Sequence, residues 1–421
     1  MSETSPSPAL NVLASPAIGS GTTDLVVPCG RPRPSRREPP PVPGRLPLAV
    51  TLSGGGFRAT LAGLGTLRFL ADAGLLGDVR WVSSVSGGSV ANGVLAVSMP
   101  DLRSGEFTRE AFDAAVVRPF VDQISAQSLK GRLLRNAWKL VGSRTRTELL
   151  AEEFDELFLH DLLLEDLDPD VRFIINAADT STGVRFGFER DVLGDYVVGQ
   201  IPTAGTRLRL STAVAASAAV PGPFPPLTPK GLPQFPCQQG RTIRLVDGGA
   251  YDNMGLEPVD DLRDAFLLAV NAGGVFVTGR YGRVPVARDL ELANSLLYRQ
   301  STALRRRHMV ERFRAYEDVE EVSTGRTREA PQDWARHGIL FGLTSTFEAA
   351  DERLTGWRAV NPDEPDVDRL ARVATSFDQF DRDLCRDLIH AGWWLTGACL
   401  TAYHPHLLAH RDRPPAWSVP W

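Results

Sequence analysis

The sequence predicts an α/β fold in which helices cover a mostly parallel central sheet, and three observations indicate this. A short apolar run at 46–52 has glycines on both sides, as expected of a buried strand. Leucines at helical spacing follow over 58–73, and a second strand pattern lies at 79–83. A strand, helix, strand, helix order favours parallel strands, whose end loops form the functional site.

The remaining elements follow the same logic. Residues 106–168 alternate charged and apolar positions at helical period, which predicts a helical insertion over the sheet. Further strand and helix patterns complete the sheet and its covering. The strands are predicted at 171–175, 184–188, 242–246 and 266–270, and the helices at about 290–316 and 377–396.

Length and composition limit the class of protein. The 421 residues are 43% hydrophobic and 23% charged, so the chain can bury a sizeable core in one large or two modest domains. The formal net charge of −5 excludes the electrostatic signature of a general nucleic-acid binder. We therefore expect no nucleic-acid partner.

The N-terminal segment has a different composition. Residues 1–46 are rich in proline, serine and arginine, which predicts a disordered tail. The domain is predicted to span 47–421, with its core motifs in 48–275 and a C-terminal helical part at 285–410. The first 19 residues lack the pattern of a secretory signal, and no run reaches the roughly 18 apolar residues of a membrane span.

The cysteines predict a reducing, cytoplasmic environment. They are far apart and form no CxxC pair, so neither a zinc site nor a dense disulfide framework is expected from them. The four are Cys29, Cys237, Cys385 and Cys399.

A glycine-rich loop follows the first predicted strand. Gly54, Gly55 and Gly56 let the backbone adopt positive φ and aim several N–H groups at one point, as an oxyanion hole requires. Arg58 puts a cation at a helix start, where it is misplaced unless an anion such as a phosphate compensates. A nucleotide-binding loop is the alternative, but the chain lacks both the P-loop lysine and the GxGxxG spacing.

Ser86 lies between the second strand and a predicted helix. A nucleophile elbow needs small residues on both sides of the serine, and here they are Ser84 and Gly88. Ser84 replaces the usual glycine, yet it is still small. Taken alone, this segment is also an ordinary serine-glycine turn.

A serine nucleophile requires a base, and Asp247 is the candidate. It ends the 242–246 strand and precedes two glycines, so its carboxylate also lies at a strand end. In a site that excludes water and raises the pKa, a carboxylate can accept the serine proton directly. Taken alone, Asp-Gly-Gly is also a common turn. In an alternative Ser-Asp-His triad, His390 or His404 would be the base, although no histidine lies in a recognisable catalytic motif.

With these motifs, and with segments 215–226 and 247–253, the chain resembles the patatin-like phospholipases, in particular their cytosolic phospholipase A2 branch. The resemblance implies a three-layer α/β/α fold. It also implies Ser86 as the acyl-accepting nucleophile, Asp247 as its base, the amides of Gly54, Gly55 and Gly56 as oxyanion hole, and Arg58 as the phosphate contact. No metal or cofactor is implied, and no calcium-binding lipid-targeting domain is visible.

The predicted function is therefore a lipid acyl hydrolase of the phospholipase A or lysophospholipase type, working through an acyl-enzyme on phospholipid or lysophospholipid. The alternatives are the histidine-triad esterase and a non-catalytic lipid-binding protein of the same fold. Intact Ser86 and Asp247 argue against the second of these. The exact lipid, its cleavage position and the oligomeric state do not follow from the sequence.

One segment predicts peripheral membrane contact. Residues 130–141 read as a basic amphipathic helix, with Arg132, Arg135 and Lys139 on one side and apolar residues, including Leu134, Trp138 and Val141, on the other. A helix that packs its apolar face on the core is the alternative, and the pattern alone favours it. The run 305–307 of three arginines predicts a solvated surface.

Overall fold

The computed structural model describes residues 28–273, 285–323, 334–411 and 413–421. Within these residues nine strands form: β1 Leu48–Leu52, β2 Val79–Val85, β3 Arg172–Asp179, β4 Val184–Phe188, β5 Val192–Asp195, β6 Gly199–Pro202, β7 Leu245–Asp247, β8 Phe266–Asn271 and β9 Gly338–Gly342. The α-helices are α1 Gly56–Asp72, α2 Gly87–Val97, α3 Met99–Ser104, α4 Arg109–Phe112, α5 Arg118–Ala126, α6 Leu129–Arg135, α7 Arg146–Phe154, α8 Leu210–Ser217, α9 Gly249–Asp252, α10 Pro285–Ser323, α11 Thr355–Val360, α12 Val367–Ala371 and α13 Arg382–Tyr403.

The strands form one sheet in the order β6-β5-β4-β3-β2-β1-β8-β9, and β7 also pairs with β3. The strands from β3 to β9 in this order run parallel, as predicted. In contrast, β4, β5, β6 and β7 pair antiparallel. Short turns connect the consecutive strands β3, β4, β5 and β6. Such turns suit antiparallel neighbours, because parallel strands need a longer crossover. The predicted α/β fold is confirmed.

Helices cover both faces of this sheet. Along β1, Val50 belongs to the large core cluster that includes α1 and α13, whereas Ala49 belongs to a second cluster with Met309 and Phe313 of α10. Alternate residues of a strand point to opposite faces, so these clusters lie on the two sides of the sheet. The result is the three-layer arrangement of helix, sheet and helix.

The central helix is α1, and all 17 of its residues are buried. Its buried Arg68 donates to Asp113 at 2.6 Å from Nε to Oδ1. Asp113 lies in the predicted insertion at 106–168, which forms α4, α5, α6 and α7 and two π-helical turns. A buried ion pair with this geometry fixes the position of the insertion on the sheet's helical layer, because losing either partner would leave a buried charge.

Part of the predicted tail is attached to the domain. Residues 28–46 form neither helix nor strand, but Cys29 is disulfide-bonded to Cys237 and the Arg37 N–H donates to Asp191 at 2.7 Å. Residues 1–27, which include most of that tail and the segment searched for a secretory signal, lie outside the described residues. The boundary at residue 46 stays a prediction.

This disulfide bears on the predicted compartment. Disulfides persist mainly in oxidising environments, so the Cys29–Cys237 pair is at odds with the reducing environment expected from cysteine spacing. Spacing could not find the pair, because 208 residues separate the two thiols. None of the described helices has the length and apolar character needed to cross a bilayer.

Candidate active site

Strand β3 brings Ser86 and Asp247 together. One edge of β3 pairs with β4, and the other pairs first with β2, through Val85 and Asn176, and then with β7, through Asp247 and Ala177. Asn176 and Ala177 are consecutive, so the last residue of β2 and the last residue of β7 lie next to each other along this edge of β3. Ser86 directly follows Val85, and its hydroxyl lies close enough to the Asp247 carboxylate to lower the pKa of that group.

Ser86 occupies a sharp turn between β2 and α2. Its φ of 51° and ψ of −119° lie in a region that side chains rarely adopt, as expected of a nucleophile elbow. The elbow also touches the glycine loop: a Cβ on Gly87 would lie 2.1 Å from the Gly56 carbonyl oxygen. Only glycine permits this approach, which holds the serine beside the loop.

A buried hydroxyl network supports the elbow from below. The Ser86 N–H donates to Ser217 Oγ at 2.9 Å, and Ser217 Oγ donates to the Asn176 carbonyl at 2.6 Å. Ser84 Oγ accepts from Asn92 Nδ2 at 2.8 Å, so the hydroxyl has a hydrogen-bond partner at the position where the elbow motif usually has glycine. The prediction missed Ser217 as a positioning residue, although it lies in segment 215–226, one of those that carry the family resemblance.

Burial sets the protonation behaviour of Asp247. It raises the pKa of this carboxyl to about 6, while the Ser86 hydroxyl and the Gly249 N–H, at 2.7 Å, act in the opposite direction. A carboxyl with this pKa is ionised at neutral pH, yet it is much more basic than an exposed aspartate. Asp247 therefore has the position and the basicity that a general base needs.

Tyr298 of α10 closes one side of this site. A Cβ on Gly249 would lie 3.3 Å from its Cε2 atom. Burial and the nearby carboxylates of Asp247 and Asp252 raise the Tyr298 pKa, so the phenol keeps its proton. The sequence predicts a helix here but does not indicate Tyr298, because helical periodicity does not reveal which residue faces a distant loop.

The glycine loop lies against the elbow, but its three amides are not equivalent. The Gly54 N–H donates to the Asn253 carbonyl at 3.0 Å and is committed within the protein. Gly55 and Gly56 have positive φ, and their N–H groups meet no acceptor among the described residues. The amides left to serve an oxyanion hole are those of Gly55 and Gly56, while Asn253, which the prediction missed, orients Gly54.

Arg58 is buried at the start of α1, at 1% exposure. Its guanidinium donates to the carbonyls of Ala272, at 3.1 Å, and Val373, and so ties α1 to two later segments. Its Nη2 has no partner in the described part of the chain and lies 3.0 Å from the position of a Cβ on Gly55. Burial lowers its pKa to about 10, so it remains charged at neutral pH.

The alternative histidine bases lie elsewhere. His390 packs against Trp417 with the rings tilted and 4.6 Å between centroids, and His404 packs against Phe266 at the start of β8. That end of the parallel strands is opposite the one from which Ser86 projects. No histidine of the described chain hydrogen-bonds to Ser86 or Asp247, and the geometry gives the triad alternative no support.

Comparisons with known proteins identify the family. The patatin-like phospholipase family model matches residues 50–260, half of the chain. Among solved structures, human GIVD cytosolic phospholipase A2 with methyl gamma-linolenyl fluorophosphonate is 13% identical, with a TM-score of 0.48; the alignment covers 87% of this chain but only 59% of that one. VipD from Legionella pneumophila is 13% identical, with a TM-score of 0.32, and the alignment covers 84% and 72%. No curated protein sequence matches. On the strength of the family model, the chain belongs to the patatin-like phospholipase family.

Proposed function

We propose that the protein cleaves carboxylic esters of lipids through a Ser86–Asp247 dyad. Membership of the family indicates lipid acyl hydrolase activity in general. The observation that supports the dyad is the pairing of β2 and β7 along one edge of β3, which abuts a serine elbow and a buried carboxylate. Among the described residues, neither has a histidine partner that would take over the role of base.

In the proposed cycle, Asp247 accepts the Ser86 proton as Oγ attacks the ester carbonyl carbon. The Gly55 and Gly56 amides donate to the carbonyl oxygen as it gains negative charge, assisted by the N-terminal end of the α1 dipole. Collapse of this tetrahedral intermediate breaks the bond to the alcohol oxygen. The alcohol takes the proton from Asp247 and departs, and the acyl group stays on Ser86. Water then attacks this ester, Asp247 again accepts a proton, and the fatty acid is released as the serine is restored.

A fluorophosphonate titration tests this proposal. Such a reagent phosphonylates an activated serine, so we expect one label per chain on Ser86 and none on Ser86→Ala. Mass spectrometry of lipids released from a mixed membrane extract by the two proteins would then identify the substrate. A folded wild-type chain that takes no label would support the non-catalytic lipid-binding alternative and reject the enzyme.

We further propose phospholipid or lysophospholipid as the substrate, with Arg58 Nη2 as the phosphate contact. Within the described chain no carboxylate forms an ion pair with this buried cation, and its one unpartnered nitrogen lies beside Gly55. A buried charge without a counterion is costly, and a phosphate would compensate it with a charge-assisted hydrogen bond.

Arg58→Ala separates this role from a purely structural one. We expect kcat/KM for a phospholipid to fall about tenfold more than kcat/KM for a neutral ester of the same acyl chain, because only the phospholipid loses a charged hydrogen bond. Both substrates are measured on the same variant, so any partial unfolding affects them equally. Equal losses on the two substrates would show that Arg58 acts only by tying α1 to Ala272 and Val373.

The predicted basic helix at 130–141 differs in the structure. It breaks at Asn136 into α6 and a single 3-10 turn. Two of its cations are paired with acidic side chains, Arg132 with Glu153 and Lys139 with Glu152. The prediction of a continuous basic face is therefore wrong, because these cations turn inward to acidic residues near and within α7.

The apolar residues of this segment nevertheless point to solvent. Leu134 and Trp138 are each 70% exposed and Val141 is 86% exposed. We call these three residues the apolar patch. A cleft of about 830 Å³ opens beside it, lined in part by Trp138, Val141 and Lys230. An exposed tryptophan and aliphatic side chains next to the exposed cation Arg135 suit a lipid interface, which supports peripheral contact with an anionic membrane surface.

A double variant tests this contact. Trp138→Ala with Arg135→Glu should weaken binding to anionic vesicles about tenfold or more, since it removes apolar area and reverses a charge. The matched control is Leu304→Ala with Arg306→Glu, an exposed apolar and basic pair on α10. We expect this control to bind like the wild type. Vesicle sedimentation that finds no difference between the two variants would refute the apolar patch as the contact.

A further inference from the structure

Three histidines meet at the end of the sheet opposite Ser86. His337 directly precedes β9, His404 follows α13, and His406 lies in the turn after it. One ring nitrogen of each lies within 4.8 Å of the other two. The proposed hydrolysis uses none of these side chains, so their convergence needs another explanation.

Two of the rings present buried nitrogens without partners. Nε2 of His337 and Nε2 of His404 are shielded from solvent and have no hydrogen-bond partner within the described structure. His404 as a whole is only 3% exposed. An unsatisfied buried polar atom costs about 1–3 kcal/mol, so a native structure usually supplies a partner or a ligand for it.

Neighbouring backbone and aromatic rings contact the histidine rings, as is common for histidines that bind a metal ion. The backbone of Gly338 lies beside the His404 ring and acts to raise its pKa, while the His404 Nε2 has no partner among the described residues. Metal-binding histidines usually donate their second N–H to a backbone carbonyl or carboxylate, which leaves a lone pair on the other nitrogen. His337 is stacked on Tyr316 with 4.5 Å between ring centroids, and the exposed ring of His406 stacks on His337 at 5.6 Å.

The setting of the two inner rings disfavours a positive charge on them. Burial lowers the pKa of both His337 and His404. Arg336 contributes a positive charge nearby; its Nη2 donates to the Val259 carbonyl at 3.2 Å, and its Nε and Nη1 have no hydrogen-bond partner among the described residues. Neutral imidazole is the form that binds a transition metal.

We propose that His337, His404 and His406 bind a divalent transition-metal ion of the Zn²⁺ class, with a water molecule as fourth ligand. Tetrahedral zinc with Zn–N bonds of about 2.0–2.1 Å needs nitrogens about 3.4 Å apart, so ring movements of about 1 Å complete the site. Imidazole ligands suit Zn²⁺, Ni²⁺ and Cu²⁺. The ion joins the end of α13 to the start of β9, and solvent reaches it beside His406.

Zinc titration of the full chain tests the site. After treatment with a chelator, calorimetry should find one Zn²⁺ per chain. Free zinc at about 100 times Kd should raise Tm by about 3 °C, because the ion binds only the folded chain. Replacement by Co²⁺ should give the visible absorption of a tetrahedral complex. A wild-type chain that binds no zinc would overturn the proposal.

Two single variants locate the ion. His406→Ala changes an exposed residue, so we expect a folded protein whose zinc affinity is at least about tenfold lower and whose Tm no longer responds to zinc. His308→Ala on α10, also exposed, is the control and should behave like the wild type. Equal losses in both variants would mean nonspecific binding and reject the site. Fluorophosphonate labelling of Ser86 should be unchanged in both variants, which keeps this test separate from that of the hydrolase.

Discussion

Ser86→Ala is expected to lower ester hydrolysis by on the order of 10⁴-fold or more, because the alanine methyl group cannot form the proposed acyl-enzyme. The Ser86 N–H bond to Ser217 is a main-chain contact and survives the substitution, so the elbow keeps its geometry. Thermal melting should therefore show a folded protein. Steady-state hydrolysis and mass spectrometry of the acylated chain measure the effect.

Ser104→Ala is the matched control for this prediction. Ser104 is an exposed serine at the end of α3, and its loss should leave both hydrolysis and labelling unchanged. If Ser86→Ala hydrolysed esters at the wild-type rate, a different nucleophile would be at work. The dyad would then have to be abandoned.

Asp247→Asn is expected to separate activity from stability. Turnover should fall by on the order of 10³-fold or more, since an amide cannot accept the Ser86 proton. Its oxygen can still accept from the Gly249 N–H, so the loop is retained. For the wild type, the activity should rise with pH through about 6 as Asp247 ionises, and the variant's residual activity should lack this limb.

The free energy of unfolding of the wild type should fall as the pH rises, whereas its activity increases. The folded-state pKa of about 6 lies above the usual value of about 4, so folding favours the protonated form. The contribution of the Asp247 carboxyl to the stability of the wild type is therefore largest below about pH 4. This contribution is lost as the pH rises through about 6. The amide of the variant carries no charge at any pH, so Asp247→Asn should be more stable above pH 6, by up to about 3 kcal/mol, with no gain below pH 4.

Urea denaturation at pH 4 and pH 8 measures this difference. Asp101→Asn, at an exposed carboxylate of α3, is the control and should alter neither turnover nor the pH dependence of stability. An Asp247→Asn protein that is less stable than the wild type at pH 8 would contradict the raised pKa. One that keeps full turnover would contradict the role of base.

Local patterns were sufficient for much of the fold. The apolar runs at 46–52 and 79–83 and the leucine spacing of 58–73 predicted β1, β2 and α1, because burial in a parallel sheet selects continuous apolar strands and a helix selects a 3.6-residue period. In contrast, β5 and β6 were missed. They are four residues long and include glycine, so pairing with a neighbour rather than intrinsic pattern makes them strands.

The sequence by itself determined the parallel α/β core, its order of elements and the residue types available at each strand end. Tertiary structure alone decided which of these residues meet. Strand β3 aligns Ser86 with Asp247. The Asn253 carbonyl accepts a hydrogen bond from the Gly54 amide, and Arg58 donates to carbonyls far along the chain. It also joined Cys29 to Cys237. The physical reason is that periodicity reports only whether a position is buried, whereas pairing register and close packing set distances between residues remote in sequence.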